Sequence, residues 1–340
     1  MYEREAKSER VNMAQAHVWT GRDLQPEALQ VLEGVASVSV TRVGERNDWY
    51  AEAVTADAII VAGETYVTGE VMDRIGPRLR VIARTGIGVD RIDLDAATER
   101  GILVVNTPDG PTESTAEHAI ALLLNLCKQI SVHERILRSG QPFPALPELT
   151  PGLEVAGAVL GLVGLGRIGS RVATIAQVLG MQVLAFDPFI VPEHATKLGV
   201  VLVPTLTELL PRAHVVSLHC PSIPETYHII NAETLSLMAR GSYLINVARG
   251  ALIDETALLG VLQSGHLAGV ALDVFDPEPP MMNHPLFTVS NTICTPHIAS
   301  YTHASVLRMQ VMACEQIATA LRGERPTNLV NRAVWGQQRH

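Results

Sequence analysis

From its N-terminus the chain sets short apolar runs between stretches whose apolar residues recur every three or four positions. Runs at His17 to Thr20, Val38 to Val43, Ala58 to Ala62, Leu79 to Ala83 and Leu103 to Asn106 have the length and continuous apolar character of strands buried on both faces. The intervening segments Pro26 to Val35, Val67 to Ile75 and Leu94 to Arg100 carry the helical period. Parallel neighbours can be joined only by a crossover, and crossover helices cover both faces of a sheet. This alternation therefore predicts an α/β unit built on a doubly wound parallel sheet.

Between Pro111 and Ser139 the spacing of Ala116, Ala119, Ile120, Leu123, Leu124, Cys127 and Ile130 predicts one long helix joining two domains. The stretch Gln141 to Gly152 holds Pro142, Pro144, Pro147 and Pro151, which forbids helix and predicts a loop. A second alternation follows, with strands expected at Ala158 to Val163, Gln182 to Phe186, Val200 to Val203, Val215 to His219, Tyr243 to Val247, Leu267 to Ala271 and Thr292 to Cys294. A last amphipathic helix, Ala304 to Arg322, carries Val306, Met309, Ala313, Ile317 and Leu321 on one face and is expected to cross back to complete the first domain. The expected division is thus residues 1–113 with 300–340 in one domain and 114–299 in the other. Met1 to Arg10 alternates Glu, Arg and Lys, so a frayed tail is expected there, with no apolar core of a signal peptide.

Length agrees with two domains: 340 residues, 47% hydrophobic and 18% charged, are enough for two sizeable cores and unlike a disordered chain. The net charge of -9 argues against nucleic acid or an anionic membrane surface as partner, both of which need concentrated Lys and Arg. A small molecule fits better. Cys127, Cys220, Cys294 and Cys314 show no Cys-x-x-Cys spacing, so neither a disulfide framework nor a metal site is expected, and the cytoplasm is the expected compartment. No apolar stretch reaches the roughly 18 to 20 residues of a membrane helix.

Candidate chemistry begins at Gly164-Leu165-Gly166-Arg167-Ile168-Gly169, placed directly after the apolar run Val159 to Val163 and opening a helix over Ile168 to Leu179. Glycines permit a tight turn and close backbone approach, and a helix N-terminus offers free amides to a phosphate. An isolated glycine pattern of this kind is often an ordinary turn. Here the next strand ends at Asp187, 18 residues past Gly169, where a dinucleotide fold places the acid that binds ribose hydroxyls. An open parallel sheet binds ligands beyond the carboxyl ends of its strands, and four polar groups follow such ends: Cys220-Pro221, Arg249-Gly250, Asp273 and Pro296-His297. An arginine is ordinarily a surface or ion-pair residue and a histidine ordinarily structural. Their shared position favours function: an Arg to grip an anion, a His to exchange a proton and a dinucleotide nearby suit oxidation of a hydroxy acid.

The stretches Gly161 to Ser170, Asn246-Val247-Ala248-Arg249-Gly250, Ala271 to Pro279 and Thr295-Pro296-His297-Ile298-Ala299 closely resemble the D-isomer-specific 2-hydroxyacid dehydrogenases. So do Ala83 to Asp90 and Ser114-Thr115-Ala116-Glu117, and the likeness runs from about Leu79 to Asn331. The resemblance implies a Rossmann domain binding NAD, inserted in a flavodoxin-like substrate domain, and a homodimer. It implies that Arg249 grips the substrate carboxylate and keto oxygen, that His297 is the acid/base beside the nicotinamide, and that Glu278 orients and charges His297. By its surroundings alone, Glu278 reads as a solvated loop acid between two prolines. The same likeness assigns Gly164, Gly166, Arg167, Ile168 and Gly169 to the pyrophosphate and Thr115 to the cofactor phosphates. Cys220, Val247 and Asp273 go to the nicotinamide half, and the Ile87 and Gly88 backbone, with Arg84 nearby, to the substrate carboxylate.

Substrates implied are of the 3-phosphoglycerate, glyoxylate, hydroxypyruvate or D-lactate type. Two departures stand out: Gly157 to Gly161 lacks the Lys or Thr often found before the glycine loop, and the Gln141 to Gly152 loop is Pro-rich. The length leaves no room for the regulatory domain of the longer phosphoglycerate dehydrogenases, so no seat for serine-type feedback is expected. Two rival readings are a formate- or phosphite-type dehydrogenase, although the formate enzymes carry Gln where Glu278 stands, and a nucleotide-sensing corepressor.

Overall fold

The computed structural model describes residues 15–41, 48–63, 65–140, 144 and 149–339. The expected frayed tail at Met1 to Arg10 and most of the Pro-rich Gln141 to Gly152 loop lie outside the described residues. Two compact units result: Met1–Gly110 with Val306–His340, and Pro111–Ser305.

The first unit contains strands β1 (Ala16–Thr20), β2 (Ala36–Val40), β3 (Ala58–Val61), β4 (Val81–Arg84) and β5 (Leu103–Asn106) with helices α1 (Pro26–Leu32), α2 (Gly69–Ile75) and α3 (Leu94–Glu99). All pairings are parallel, in the order β2-β1-β3-β4-β5, which is that of flavodoxin-like sheets. Successive strand side chains point to opposite faces. Val18, Ile60, Ala83 and Val105 accordingly enter one core cluster, and Trp19, Ile59, Ile82 and Val104 enter the other. The first of these cores also takes Ala313, Cys314, Ile317 and Ala318 from the last helix.

The second unit opens with α4 (Thr112–Lys128) and α5 (Ile130–Arg138). The single helix expected from Pro111 to Ser139 is in fact broken at Gln129, whose φ of 54° and ψ of 33° are left-handed. The break is satisfied locally. Asn125 Oδ1 accepts the Ser131 amide at 2.9 Å, Asn125 Nδ2 donates to the Ser131 hydroxyl at 2.7 Å, and Cys127 O accepts the Leu153 amide at 2.8 Å. A side chain on Gly152 would collide with Cys127 O, so the incoming chain packs directly onto the helix end. Periodicity continued past the break because α5 is itself amphipathic, yet none of its residues is buried.

Seven strands follow: β6 (Val159–Val163), β7 (Gln182–Phe186), β8 (Val201–Leu202), β9 (Val215–Leu218), β10 (Tyr243–Asn246), β11 (Gly269–Leu272) and β12 (Thr292–Cys294). Helices α6 (Arg167–Val178), α7 (Pro192–Lys197), α8 (Leu206–Leu209), α9 (Ala232–Leu237) and α10 (Glu255–Gln263) connect them, and α11 (His303–Leu321) ends the order. The sheet is parallel throughout in the order β12-β11-β10-β9-β6-β7-β8. Counted from β6 this is 3-2-1-4-5-6, the dinucleotide-fold order, with one further strand. Leu160, Val215, Ile245 and Ala271 fill one face and Val163, Val216, Leu244 and Val270 the other. Both units are therefore doubly wound parallel α/β sheets, the class the alternation predicted.

Candidate active site

The order of the second sheet reverses between β6 and β9, and the glycine loop lies at that switch point. Gly164 has φ +99°, and a Cβ there would meet Cys220 N and the His219 carbonyl at 2.8 Å, so only glycine fits. A Cβ on Gly169 would strike Gly164 O, which lets α6 sit tightly on the strand. Gly166 is different: apart from the glycine itself and its chain neighbours, nothing lies within 4 Å of its Cβ position. It is the N-cap of α6, where the first amides have no intrahelical acceptor. An exposed cradle of this kind, with a positive dipole end behind it, fits a phosphate.

Asp187 follows β7 and is held against the loop: Oδ2 accepts the Leu165 amide at 2.8 Å and Oδ1 the Phe189 amide at 2.9 Å. Cys220 lies close to both, at the end of β9, and burial pushes its thiol up to about 11, so it is a neutral, unreactive group near pH 7. Thr115 is 5% exposed in the first turn of α4. Val247, at the end of β10, is 7% exposed and belongs to the core.

The register aligns Asn246 with Leu272 and Leu272 with Cys294, so the residues leaving β10, β11 and β12 emerge side by side. Asn246 shapes the first of these exits. Its Oδ1 accepts the Ala248 amide at 3.0 Å and its Nδ2 donates to Arg249 O at 2.8 Å. Arg249 is half-buried, with Nη1 donating to Ala248 O at 2.6 Å. Next to it, Gly250 touches the Phe275 backbone so closely that a Cβ would overlap the Phe275 carbonyl. That contact seats Arg249 beside the loop after β11. In this loop Glu278 folds back, Oε1 accepting the Phe275 amide at 3.1 Å, and Oε2 meets His297 Nδ1 at 2.9 Å. With Nδ1 so engaged, Nε2 is the ring nitrogen turned to other partners. The side chains are 46% exposed for His297 and 21% for Glu278.

Asp273 lies behind them with zero exposure. It accepts the Thr295 hydroxyl at 2.6 Å, the Ile298 amide at 2.9 Å and the Ala299 amide at 2.8 Å. Its carboxylate oxygens thus bind the segment that carries His297. His118 on α4 reaches this cluster, Nε2 standing 3.2 Å from Thr295 Oγ1. His118 was not singled out in the sequence, and Asn246 and Thr295 entered only as members of stretches that resemble the family.

In the first unit, Arg84 ends β4 and folds onto its own loop, Nε donating to Gly88 O at 3.1 Å and Nη1 to Thr85 O at 2.9 Å. Asn106 Nδ2 donates to Ile87 O at 2.8 Å. With the carbonyls of Ile87 and Gly88 engaged, the loop backbone between them is fixed in orientation. Among the described residues no cluster of His, Cys, Asp and Glu could hold a metal ion, and no helix is long and apolar enough to cross a membrane.

Strand order, the glycine loop at the switch point and the acid at the end of β7 together define a dinucleotide-binding domain of the Rossmann type. Residues 120–299 match the family described as D-isomer specific 2-hydroxyacid dehydrogenase, NAD binding domain. The chain belongs to this family. It is 40% identical over 308 residues to a D-3-phosphoglycerate dehydrogenase of Methanocaldococcus jannaschii, covering 91% of this chain and 58% of that protein. It is likewise 40% identical to a glyoxylate reductase of Korarchaeum cryptofilum, covering 82% of this chain and 83% of that one. A crystal structure of a Thermus thermophilus protein superposes with a TM-score of 0.85 at 41% identity, covering 92% of this chain and 99% of that chain. The chain thus spans little more than half the length of the phosphoglycerate dehydrogenase it matches.

Proposed function

We propose that the protein is an NAD-dependent dehydrogenase that interconverts a small D-2-hydroxy acid and its 2-keto acid, of the 3-phosphoglycerate, glyoxylate or hydroxypyruvate type. The observation that carries this reading is the His297–Glu278 contact of 2.9 Å at strand ends adjoining the exit that bears Arg249, in a domain with an open phosphate cradle. NAD would be held by Gly164, Gly166, Arg167, Ile168 and Gly169 at its pyrophosphate and by Asp187 at its adenosine ribose. Thr115 would contact its phosphates, and Cys220, Val247 and Asp273 would border its nicotinamide. Bound there, the dinucleotide supplies the two-electron donor or acceptor.

The chain's own residues do the rest. Arg249, with a planar fork of donors, grips the substrate carboxylate and keto oxygen. In the first unit, the backbone of Ile87 and Gly88, whose loop Arg84 holds, is the further candidate for a substrate carboxylate. During reduction, negative charge grows on the keto oxygen and His297 Nε2 delivers the proton that neutralises it. In oxidation the same nitrogen removes the hydroxyl proton. Glu278 fixes the ring through Nδ1 and compensates the imidazolium charge. The carboxylate at 278 speaks against a formate-type site, which the resemblance associates with Gln. As a further part of the reading we assign a cytoplasmic homodimer; Ile130 and Leu137, exposed by 56% and 54% on α5, are apolar surface that a partner subunit would cover.

The test is NADH oxidation with a panel of 2-keto acids, and NAD reduction with formate and phosphite. Turnover with one or more keto acids supports the proposal. Turnover with formate or phosphite alone replaces the substrate class, and NADH binding without turnover favours the corepressor reading.

A further inference from the structure

We propose that His118 is a positioning residue that, through Thr295 and Asp273, holds His297 in its working backbone conformation; this rests on the catalytic reading of His297 given above. His297 has φ +54°, a left-handed conformation that is strained for a residue with a Cβ. Such a conformation persists only where the surroundings over-determine it. Here they do: the His297 amide also reaches Thr295 O at 3.1 Å and the ring is held by Glu278, and the remaining restraints lead to Asp273. The His297 amide donates to Asp273 O at 2.8 Å. The residues on either side, Thr295 through its hydroxyl and Ile298 and Ala299 through their amides, all donate to the Asp273 carboxylate.

A carboxylate with zero exposure needs each of these donors, because an ion cut off from water is costly unless it is hydrogen-bonded. The Thr295 hydroxyl has a single proton, and at 2.6 Å it gives that proton to Asp273, which as a carboxylate can only accept. Towards His118 Nε2, 3.2 Å away, the hydroxyl must therefore act as acceptor. This assigns the hydrogen to Nε2 of His118. The same nitrogen faces Asp273 Oδ1 at 3.6 Å. His118 thus fixes the rotor of Thr295 so that its proton always points at Asp273, and adds a second favourable dipole towards the buried charge. Its carrier is rigid, since α4 is anchored on both sides of His118 by buried Ala116, Ala119, Leu122 and Leu123. The contacts that tie His118 and Thr295 to the site run through the Asp273 carboxylate and the backbone of residues 295–299, so their effect on the reaction passes through that segment.

The test uses His118→Ala, Thr295→Val and the double variant, with Thr295→Ser as rescue and His297→Ala as reference, all in the full chain. Each single removal should lower kcat for keto-acid reduction about tenfold, as a small displacement of a reacting group does. KM and the NADH dissociation constant should stay within about twofold, the signature of a change felt only in the chemical step. The double variant should be no slower than the slower single one, because the residues act as one unit. Thr295→Ser should return kcat to within about twofold of wild type. Hydrogen exchange at the Ile298 and Ala299 amides should accelerate in both single variants, with exchange in β6 unchanged.

An unaltered kcat in His118→Ala, alongside an inactive His297→Ala, overturns the proposal and spares the catalytic reading. Multiplying effects in the double variant overturn it too. If instead wild type turns over no keto acid, or His297→Ala matches it, the catalytic reading fails; amide exchange then decides the relay alone, and unchanged rates at Ile298 and Ala299 refute it. Should Thr295→Val not fold, His118→Ala decides, since it leaves every bond to Asp273 within residues 295–299 in place.

Discussion

His219 links burial in the dinucleotide domain to acid sensitivity. It ends β9, its carbonyl packs on Gly164, and its ring Nε2 lies 2.9 Å from Ser217 Oγ while Nδ1 is buried without a partner. Burial holds the imidazole down to about 4 from its ordinary 6.5, because a charged ring there would lose water and gain an N–H with no acceptor. In the unfolded chain the ring takes a proton near its ordinary value; in the folded chain it does not until far lower pH. Stability contributed by the neutral ring is therefore complete above pH 6.5 and is lost as pH falls through the window down to about 4. At about 1.4 kcal/mol per unit the loss across that window is roughly 3 kcal/mol. The perturbation is His219→Gln, which keeps a donor for Ser217 and removes the titration. Scanning calorimetry at a series of pH values reads it, with unfolding free energy of the second unit followed against pH. The variant should lose roughly 2 to 3 kcal/mol less than wild type between neutral pH and pH 4, whatever its stability at pH 8. Parallel curves for the two proteins would refute the reasoning.

Three further outcomes follow from the site. Asp187→Ala should relax selection against NADPH, because on the proposed reading a carboxylate held at the adenosine ribose would repel a 2'-phosphate; an unchanged ratio of kcat/KM for NADH and NADPH contradicts it. Gly250→Ala should disturb catalysis rather than dinucleotide binding, since its Cβ would overlap the Phe275 carbonyl and push Arg249 away from the Glu278 loop. Activity losses of about a hundredfold with normal NADH affinity are expected from such a displacement. Glu278→Gln should cost about tenfold in kcat for reduction through loss of a charge-assisted hydrogen bond, with NADH titration unchanged; a kcat equal to wild type would detach Glu278 from His297.

Much of the architecture was legible because parallel sheets buried on both faces leave an unmistakable alternation of short apolar runs and helical periods. Strand order was not, since periodicity says which residues are strands and nothing about which strands are neighbours. The break at Gln129 was hidden for a related reason: apolar spacing continued through Ile130 and Leu137, and only the side chain of Asn125 and the close approach of Gly152 reveal that the helix stops. The placement of the glycine loop at the switch point and of Asp187 after the next strand could be read from spacing, because a strand-turn-helix-strand unit imposes fixed intervals. Glu278 could not, since its contact with His297 bridges two loops leaving different strands, and a loop acid between prolines looks solvated. The sequence also carries no sign that Asp273, an acid at a strand end like any other, binds Thr295, Ile298 and Ala299 from zero exposure.

The most direct test is rapid-mixing measurement of NADH oxidation by the best keto acid of the panel, comparing wild type with His297→Ala at saturating cofactor. Loss of the general acid should slow the chemical step by about 10²- to 10⁴-fold at every pH tested, with NADH binding intact. A variant that reduces the keto acid at close to the wild-type rate would contradict the account.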